Sequence, residues 1–207
     1  MANEIDRVVP PALPLATEQY NRPFMDQNSN VLRLFFNRLT NIVNTLLSTE
    51  EGGKFLYVPR ALFYSTTDQA AVAADTGYPV EFENTYIGNG ISIAGADNTQ
   101  ITVAADGVYN FQVTLQTAHT NASDVKTTTW INKNGTDVTY GGQEQTIKGN
   151  SVHAVYWNFS IDLTAGQYIE MYWATDDTNL SLATQTATSP HPGIPSAIVA
   201  VSFVSNL

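Results

Sequence analysis

The stretch from Gly107 to Leu115 constrains the fold of this chain more than any other segment. Every second residue in it is apolar, and the apolar set is Tyr109, Phe111, Val113 and Leu115. Side chains on a β-strand point alternately to its two faces, so this pattern predicts a strand with one buried and one polar face. The segment follows Asp106, whose pairing with Gly107 is a turn signal.

Similar segments recur through the chain, and residues typical of turns separate them. The predicted strands lie near 62–66, 79–83, 91–94, 100–103, 107–117, 127–133, 136–140, 152–163, 168–175, 180–184 and 197–204. The predicted turns include 95–98, 134–135, 141–142 and 165–166. Many short strands with regular turns indicate an antiparallel all-β sandwich or jelly roll over residues 54–207.

Residues 24–53 change to the period of a helix. Apolar residues recur at alternating spacings of three and four in a heptad seam, which comprises Leu32, Phe35, Leu39, Ile42 and Leu46. Asp26 or Ser29 is expected to cap this helix, and Gly52 and Gly53 to form a hinge. The helix either packs on its own β-domain or forms a short oligomeric bundle. The second interpretation is favoured, because a β-sandwich rarely needs a helix to close its core.

Residues 1–23 are predicted to form an extended arm, because prolines at 10, 11, 14 and 23 disfavour a helix. The arm is more apolar than most disordered tails, and its apolar residues, with the next aromatic along the chain, are Val8, Val9, Leu13, Leu15, Tyr20 and Phe24. Two alternatives remain open, namely disorder and docking on a partner surface.

Charge and composition exclude several classes of function. The chain carries 9 basic and 19 acidic residues, a net charge of −10, and only three of the basic residues lie after Arg60. Such an acidic β-domain cannot neutralise a row of phosphates, so nucleic-acid binding is not expected. The chain has no cysteine, no apolar run long enough to span a bilayer and no pattern of a secretory signal near its start. We therefore expect synthesis in a reducing host cytoplasm and no membrane insertion.

No motif for catalysis is evident. The three histidines, His119, His153 and His191, are far apart and lack a carboxylate at metal-ligand spacing. The chain has no nucleophile elbow, phosphate loop or dinucleotide fingerprint. The sequence therefore predicts a protein that is not an enzyme and has no catalytic residue, metal or cofactor.

Four segments together resemble the C1q/tumour-necrosis-factor-like jelly roll over residues 61–207. These are a Gly-x-Tyr-x-Phe strand at Gly107, an Asn-Gly hairpin at Asn134, a Leu-x-x-Gly turn at Leu163 and a terminal strand with Phe203. The resemblance implies an antiparallel jelly-roll sandwich that assembles as a compact homotrimer, with aromatic faces around a threefold axis. The core and interface residues it implies are Tyr109, Phe111, Trp130, Trp157, Phe159, Trp173 and Phe203.

The heptad helix lies where this family carries an oligomerising stalk, which supports a trimer. The collagen-like stalk of the animal members is absent, and the calcium sites of the family do not transfer to this sequence. The adjacent acids Asp176 and Asp177 are interpreted as solvated surface.

Residues 13–44 resemble the openings of tailed-phage virion proteins, with a proline-rich start followed by a helix rich in Leu, Phe and Asn. This resemblance leads to the hypothesis of a viral structural protein that decorates or cements a bacteriophage capsid. Its arm and helix would bind the major capsid protein or other virion proteins, and its place would be the capsid surface. The alternative is a tail- or head-fibre protein that binds the host through loops near 117–126 and 141–150.

Overall fold

A computed structural model describes residues 11–13, 18–47 and 58–207, and at 45–47 it describes the backbone alone. These ranges form one helix and thirteen strands, which belong to two different compact units. The elements are α1 (Arg22–Leu47), β1 (Arg60–Ser65), β2 (Gln69–Ala70), β3 (Tyr78–Pro79), β4 (Asn84–Asn89), β5 (Ile91–Ala94), β6 (Gln100–Val103), β7 (Gly107–His119), β8 (Val125–Lys133), β9 (Thr136–Ile147), β10 (Ser151–Leu163), β11 (Tyr168–Thr175), β12 (Leu180–Leu182) and β13 (Ala197–Ser205).

Helix α1 begins at Arg22, before either cap expected from the sequence. The side chain of Asn21 accepts a hydrogen bond from the backbone N–H of Phe24 at 3.3 Å, as an N-cap residue does. Pro23 therefore lies in the first turn, where a missing N–H costs no intrahelical hydrogen bond. The expectation that Pro23 belongs to an extended arm was wrong for this reason.

The strands form two antiparallel sheets, which we call sheet A and sheet B. Sheet A has the order β2-β12-β7-β13-β1-β4, with β10 on the other side of β7. Sheet B has the order β5-β6-β11-β8-β9, with β3 also paired to β11. The long strand β7 thus has β10 along one side, and β13 and β12 in succession along the other. The all-β, antiparallel architecture expected from the sequence is confirmed.

The strand pairings are nested. Strand β1 pairs with β13, β6 with β11, β7 with β10, and β8 with β9. Each pair thus encloses the next along the chain, as in a long hairpin that has been wound across two sheets. Because of this winding, β1 and β13 are neighbours although more than a hundred residues separate them.

The core lies between the sheets and receives side chains from both. Sheet A contributes Phe63, Phe111 and other alternate residues, and sheet B contributes Ile101, Met171 and Trp173. The alternation read at Gly107–Leu115 continues to His119, and its apolar members are buried.

The predicted turn at Gly141–Gly142 was wrong, because both glycines lie within the twelve residues of β9. There Tyr140 has a φ of 61° beside a shift in register, which indicates a β-bulge.

Candidate interaction surfaces

The aromatic residues singled out in the sequence occupy three different environments. Tyr109, Phe111 and Trp173 are buried in the core. Trp157, Phe159 and Phe203 are half-buried and pack against it. Trp130 lies on the outer face of sheet B, where it stacks on Tyr172 with ring centroids 5.5 Å apart. These residues therefore do not form one aromatic surface.

The outer face of sheet A is almost free of charge. One row of register partners across it is Tyr64, Ile198, Thr114 and Tyr156, and the next is Leu62, Ala200, Gln112 and Asn158. Among the described strand residues of this face, formal charges appear only at one end, at Arg60 and Asp162. Tyr156 is 73% exposed although most of its surface is apolar. We call this surface the uncharged face, and its lack of charge stands out in a chain of net charge −10.

Among the described strands, β9 pairs only with β8 and β10 only with β7, so these two strands lie at one edge of the sandwich, which we call the open edge. Three inward side chains of β10 pack against the core here and are only partly covered. Trp157, Phe159 and Ile161 are half-buried, as is Val138 of β9. Phe159 stacks on Phe111 with the ring centroids 5.1 Å apart and an angle of 4° between the two ring planes. A second protein surface could bury the exposed parts of these rings without any rearrangement of the core.

Helix α1 carries a wide apolar stripe. Four of the predicted seam residues, Leu32, Phe35, Leu39 and Ile42, are half-buried. The flank of the same stripe is exposed, and it includes Met25, Phe36 and Val43. The side chain of the fifth seam residue, Leu46, lies outside the described residues. An apolar stripe wider than a two-helix seam suits a helix that contacts more than one neighbour.

Three loops meet at the end of the sandwich where β7 finishes. The carboxylate of Asp177 accepts hydrogen bonds from the N–H of Asn179 at 2.9 Å, from the amide of Asn121 at 2.9 Å and from the side-chain amide of Asn179 at 2.6 Å. It also lies 3.3 Å from Nε2 of the buried His119. The N–H of Asn179, with these side-chain donors, holds the pKa of Asp177 well below its usual range.

The same end includes an ion pair at 2.6 Å between Lys148 and Asp124. The backbone of Asn150 also donates to the carbonyl of Asn121 at 2.8 Å. We call residues 120–124, 148–150 and 176–179 the loop cluster. The interpretation of Asp177 as a merely solvated acid was wrong, because it organises this network. Of the two host-binding loops expected from the sequence, residues 117–119, 125–126 and 141–147 belong instead to strands β7, β8 and β9.

Only part of the predicted arm can be placed. Leu13 and Tyr20 are exposed and Phe24 is half-buried in the first turn of α1. Val8, Val9 and Leu15 lie outside the described residues. In the described ranges, no helix is long and apolar enough to cross a bilayer. Nor does this part of the chain hold a group of three or more His, Cys, Asp or Glu side chains placed to bind a metal ion.

The sequence could not identify the uncharged face, because it does not reveal which strands are neighbours. Thr114 and Ile198 are 84 positions apart and meet only through the pairing of β7 with β13. The signal that the sequence does contain is that the outward-facing positions of β7, β10 and β13 carry almost no charged residues. The sequence matches no protein-family model and has no significant match among curated proteins.

Proposed function

We propose that this protein is a non-enzymatic, homotrimeric virion structural protein that decorates a bacteriophage capsid. Its β unit would be a C1q/tumour-necrosis-factor-like jelly roll, and its arm and helix α1 would attach it to the shell. The uncharged face of sheet A is the observation that carries the proposal. A surface of this kind on an acidic chain favours a structural, self-associating role over a catalytic one.

The nested strand pairings support the jelly roll. In that architecture a long antiparallel hairpin winds into two facing sheets, so the outermost strands of the hairpin pair with each other. The series β1–β13, β6–β11, β7–β10 and β8–β9 follows this rule. The order also agrees with the four sequence segments that resemble the family.

The trimer is supported by two surfaces that complement each other. The open edge presents Trp157 and Phe159, and the uncharged face presents Tyr64, Ile198 and Tyr156. These are different patches of one chain, so a head-to-tail contact between them is heterologous and can close as a ring. A ring of three, with about 800 Å² per partner at each contact of standard size, uses both patches of every copy and is the assembly that the family resemblance implies.

The helix and the opening of the chain support attachment to a shell. The exposed flank of α1 and the exposed Leu13 and Tyr20 offer apolar groups to a partner. Residues 13–44 resemble the openings of tailed-phage virion proteins, which makes the major capsid protein the proposed partner. Decoration needs no chemistry, because a trimer on a local threefold axis adds contact area between neighbouring shell subunits.

The decisive experiment is the copy number of this chain per purified phage particle, measured by quantitative mass spectrometry against the major shell protein. Decoration requires on the order of hundreds of copies in simple ratio to the shell, because every local threefold position is equivalent. A handful of copies would instead indicate a fibre or tail component. Absence from the particle would overturn the virion assignment.

A second experiment tests the mode of attachment. Residues 1–50 are deleted, and the remaining β unit is mixed with shells that lack the protein. The expected result is loss of shell binding with the circular dichroism of the β-sheets retained. If the truncated protein binds shells as well as the full chain does, the arm and helix are not the attachment device.

The loop cluster favours one alternative, a fibre tip that binds a host surface. It lies at the end of the β unit opposite to residue 58, since β1 begins beside the start of β7 and the cluster follows the end of β7. A surface far from the attachment side is well placed for recognition. Binding of the purified full chain to host cells would favour this alternative, whereas a decoration protein should not bind them.

A further inference from the structure

Strand β9 leaves its ladder in the middle of the open edge. On β8 a single residue, Ile131, lies between Trp130 and Asn132, which both keep partners on β9. Between those two partners β9 has four residues, 138–141. An ordinary β-bulge sets two residues against one. Residues 138–141 therefore project from the edge of the sandwich, and we call them the edge projection.

The base of the edge projection is packed tightly. A Cβ on Gly141 would lie 2.7 Å from Cγ1 of Ile131 and 2.9 Å from the carbonyl oxygen of Val138. Val138 is itself half-buried against the core. The backbone on both sides of the tip is therefore held by contacts with the sandwich, and the fold sets the position of the tip.

Tyr140 lies at this tip. Its side chain is 101% exposed, so the ring packs against no other described residue. Its φ of 61° is in the left-handed region, which is unfavourable for a bulky side chain. A strained backbone that presents a large ring to water does not stabilise the fold, and such strain is typical of positions with a function. Bulges at sheet edges often serve to re-aim a side chain in this way.

The charges that flank the edge projection are already paired within sheet B. Asp137 accepts a hydrogen bond from an indole N–H at 2.9 Å, and Glu144 forms an ion pair with Lys126 at 2.9 Å. Residues 138–143, between these two acids, carry no charge. Tyr140 thus offers an apolar ring and one phenol group, which suits an uncharged partner surface with hydrogen-bonding side chains.

The uncharged face of sheet A is a surface of this kind. It presents apolar groups at Leu62 and Ile198, and amide or hydroxyl groups at Gln112 and Thr114. Tyr140 belongs to sheet B, and its full exposure means that it does not contact the uncharged face of its own copy. The ring therefore meets such a face on a second copy of the chain.

We propose that Tyr140 anchors the open edge of one copy on the uncharged face of the next. The ring covers apolar side chains there, and the phenol bonds to an amide or a hydroxyl group. Tyrosine is enriched among the few residues that carry most of the binding energy of an interface. The inference rests on the proposed trimer, because it names the residue that the uncharged face of a neighbouring copy binds.

Substitutions at position 140 separate association from folding in the full-length chain. Asparagine tolerates a positive φ, so Tyr140→Asn should leave the Tm of the dilute monomer unchanged or raise it. In sedimentation the same variant should form trimers only at a concentration about tenfold higher or more. Tyr140→Phe keeps the ring and should retain most of the association. The control is Val72→Asn, at an 86% exposed position between β2 and β3, which should assemble as the natural sequence does.

The possible results distinguish this contact from the trimer itself. If Tyr140→Asn forms trimers at the same concentration as the natural sequence, the contact is overturned and the proposed trimer stands. A lower Tm of the Tyr140→Asn monomer would assign the ring to folding and would also overturn the contact. A natural chain that stays monomeric at every concentration would contradict the trimer, and the contact with it.

Cross-linking identifies the surface that Tyr140 meets. The chain has no cysteine, so a benzophenone maleimide attached to the Tyr140→Cys variant labels one position. Isotope-labelled and unlabelled chains are mixed at a concentration that keeps the variant trimeric, and illumination should join the label to β1, β7 or β13 of another copy. Mass spectrometry identifies the joined peptides. Cross-links to β9 of another copy, or within one copy alone, would overturn the assignment of the partner surface.

Discussion

At the scale of the residue, two glycines are required for opposite reasons. A Cβ on Gly107 would lie 2.3 Å from Cε2 of Phe203 and 2.9 Å from the carbonyl oxygen of Ser205. Gly166 has open space around it but a φ of 84°, in the left-handed region that side chains disfavour. The first glycine therefore makes room for β13, and the second makes a turn before β11.

Substitution should separate these two roles. We expect Gly107→Val to destabilise the fold by about 3 kcal/mol, because the ring of Phe203 packs on Tyr109 and has little room to move. Gly166→Ala should cost about 1 kcal/mol, since only backbone strain is added. Chemical denaturation measures both values. A cost for Gly107→Val no larger than that for Gly166→Ala would show that the close approach is relaxed in solution.

Asp177 predicts the behaviour of the loop cluster in acid. Because its pKa is lower in the folded chain than the ordinary value near 3.9, its hydrogen bonds contribute full stability above about pH 5. That contribution is lost progressively as the pH falls through and below the ordinary value. We therefore expect Asp177→Asn to flatten the decline in stability between about pH 5 and pH 2, measured by urea unfolding. An unchanged pH slope would mean that the network does not persist in solution.

At the scale of the element, strands in which apolar and polar residues alternate strongly could be predicted from the sequence. Strands without that alternation, and strands that contain residues typical of turns, could not. The prediction for 168–175 coincides with β11, whereas β4 was missed because its residues are mostly exposed and lack alternation. Gly141 and Gly142 have the composition of a turn but lie in a bulged strand. The meeting of Thr114 with Ile198 and Tyr156 on the uncharged face could not be predicted, because strand register alone brings these residues together.

The uncharged face gives a prediction at this scale. Thr114 is exposed at its centre, between Ile198 and Tyr156. We expect Thr114→Glu to weaken self-association at least tenfold, because a buried unpaired carboxylate opposes the contact. Ser92→Glu, on an exposed position of β5 in the other sheet, is the control. Analytical ultracentrifugation reports both, and dissociation of the control alone would place the interface on the other sheet.

At the scale of the whole molecule, shape and charge act in opposite directions on assembly. Residues 61–207 carry the entire net charge of −10, so three β units repel one another. The surfaces proposed to join them carry almost no charge, so their attraction depends little on salt. Raising the ionic strength from about 0.05 to about 0.5 M should therefore strengthen the trimer, because salt screens only the repulsion.

This prediction is checked by sedimentation of the full chain at both ionic strengths. The expected species has three times the chain mass of 22.6 kDa, and its dissociation constant should fall as salt is added. A trimer that dissociates in salt would indicate contacts made by ion pairs instead. A monomer at every concentration and ionic strength would contradict the proposed assembly.

The winding of the β unit also makes it suitable for insertion into another protein. Its first and last strands are neighbours, and the N–H of Phe203 donates to the carbonyl of Pro59 at 3.0 Å. The two points where the backbone leaves the unit are thus side by side, the arrangement that lets a domain be inserted into a loop of another protein. The loop cluster lies at the opposite pole. A peptide grafted at residues 120–124 would therefore be held away from the host scaffold, as a display cassette requires.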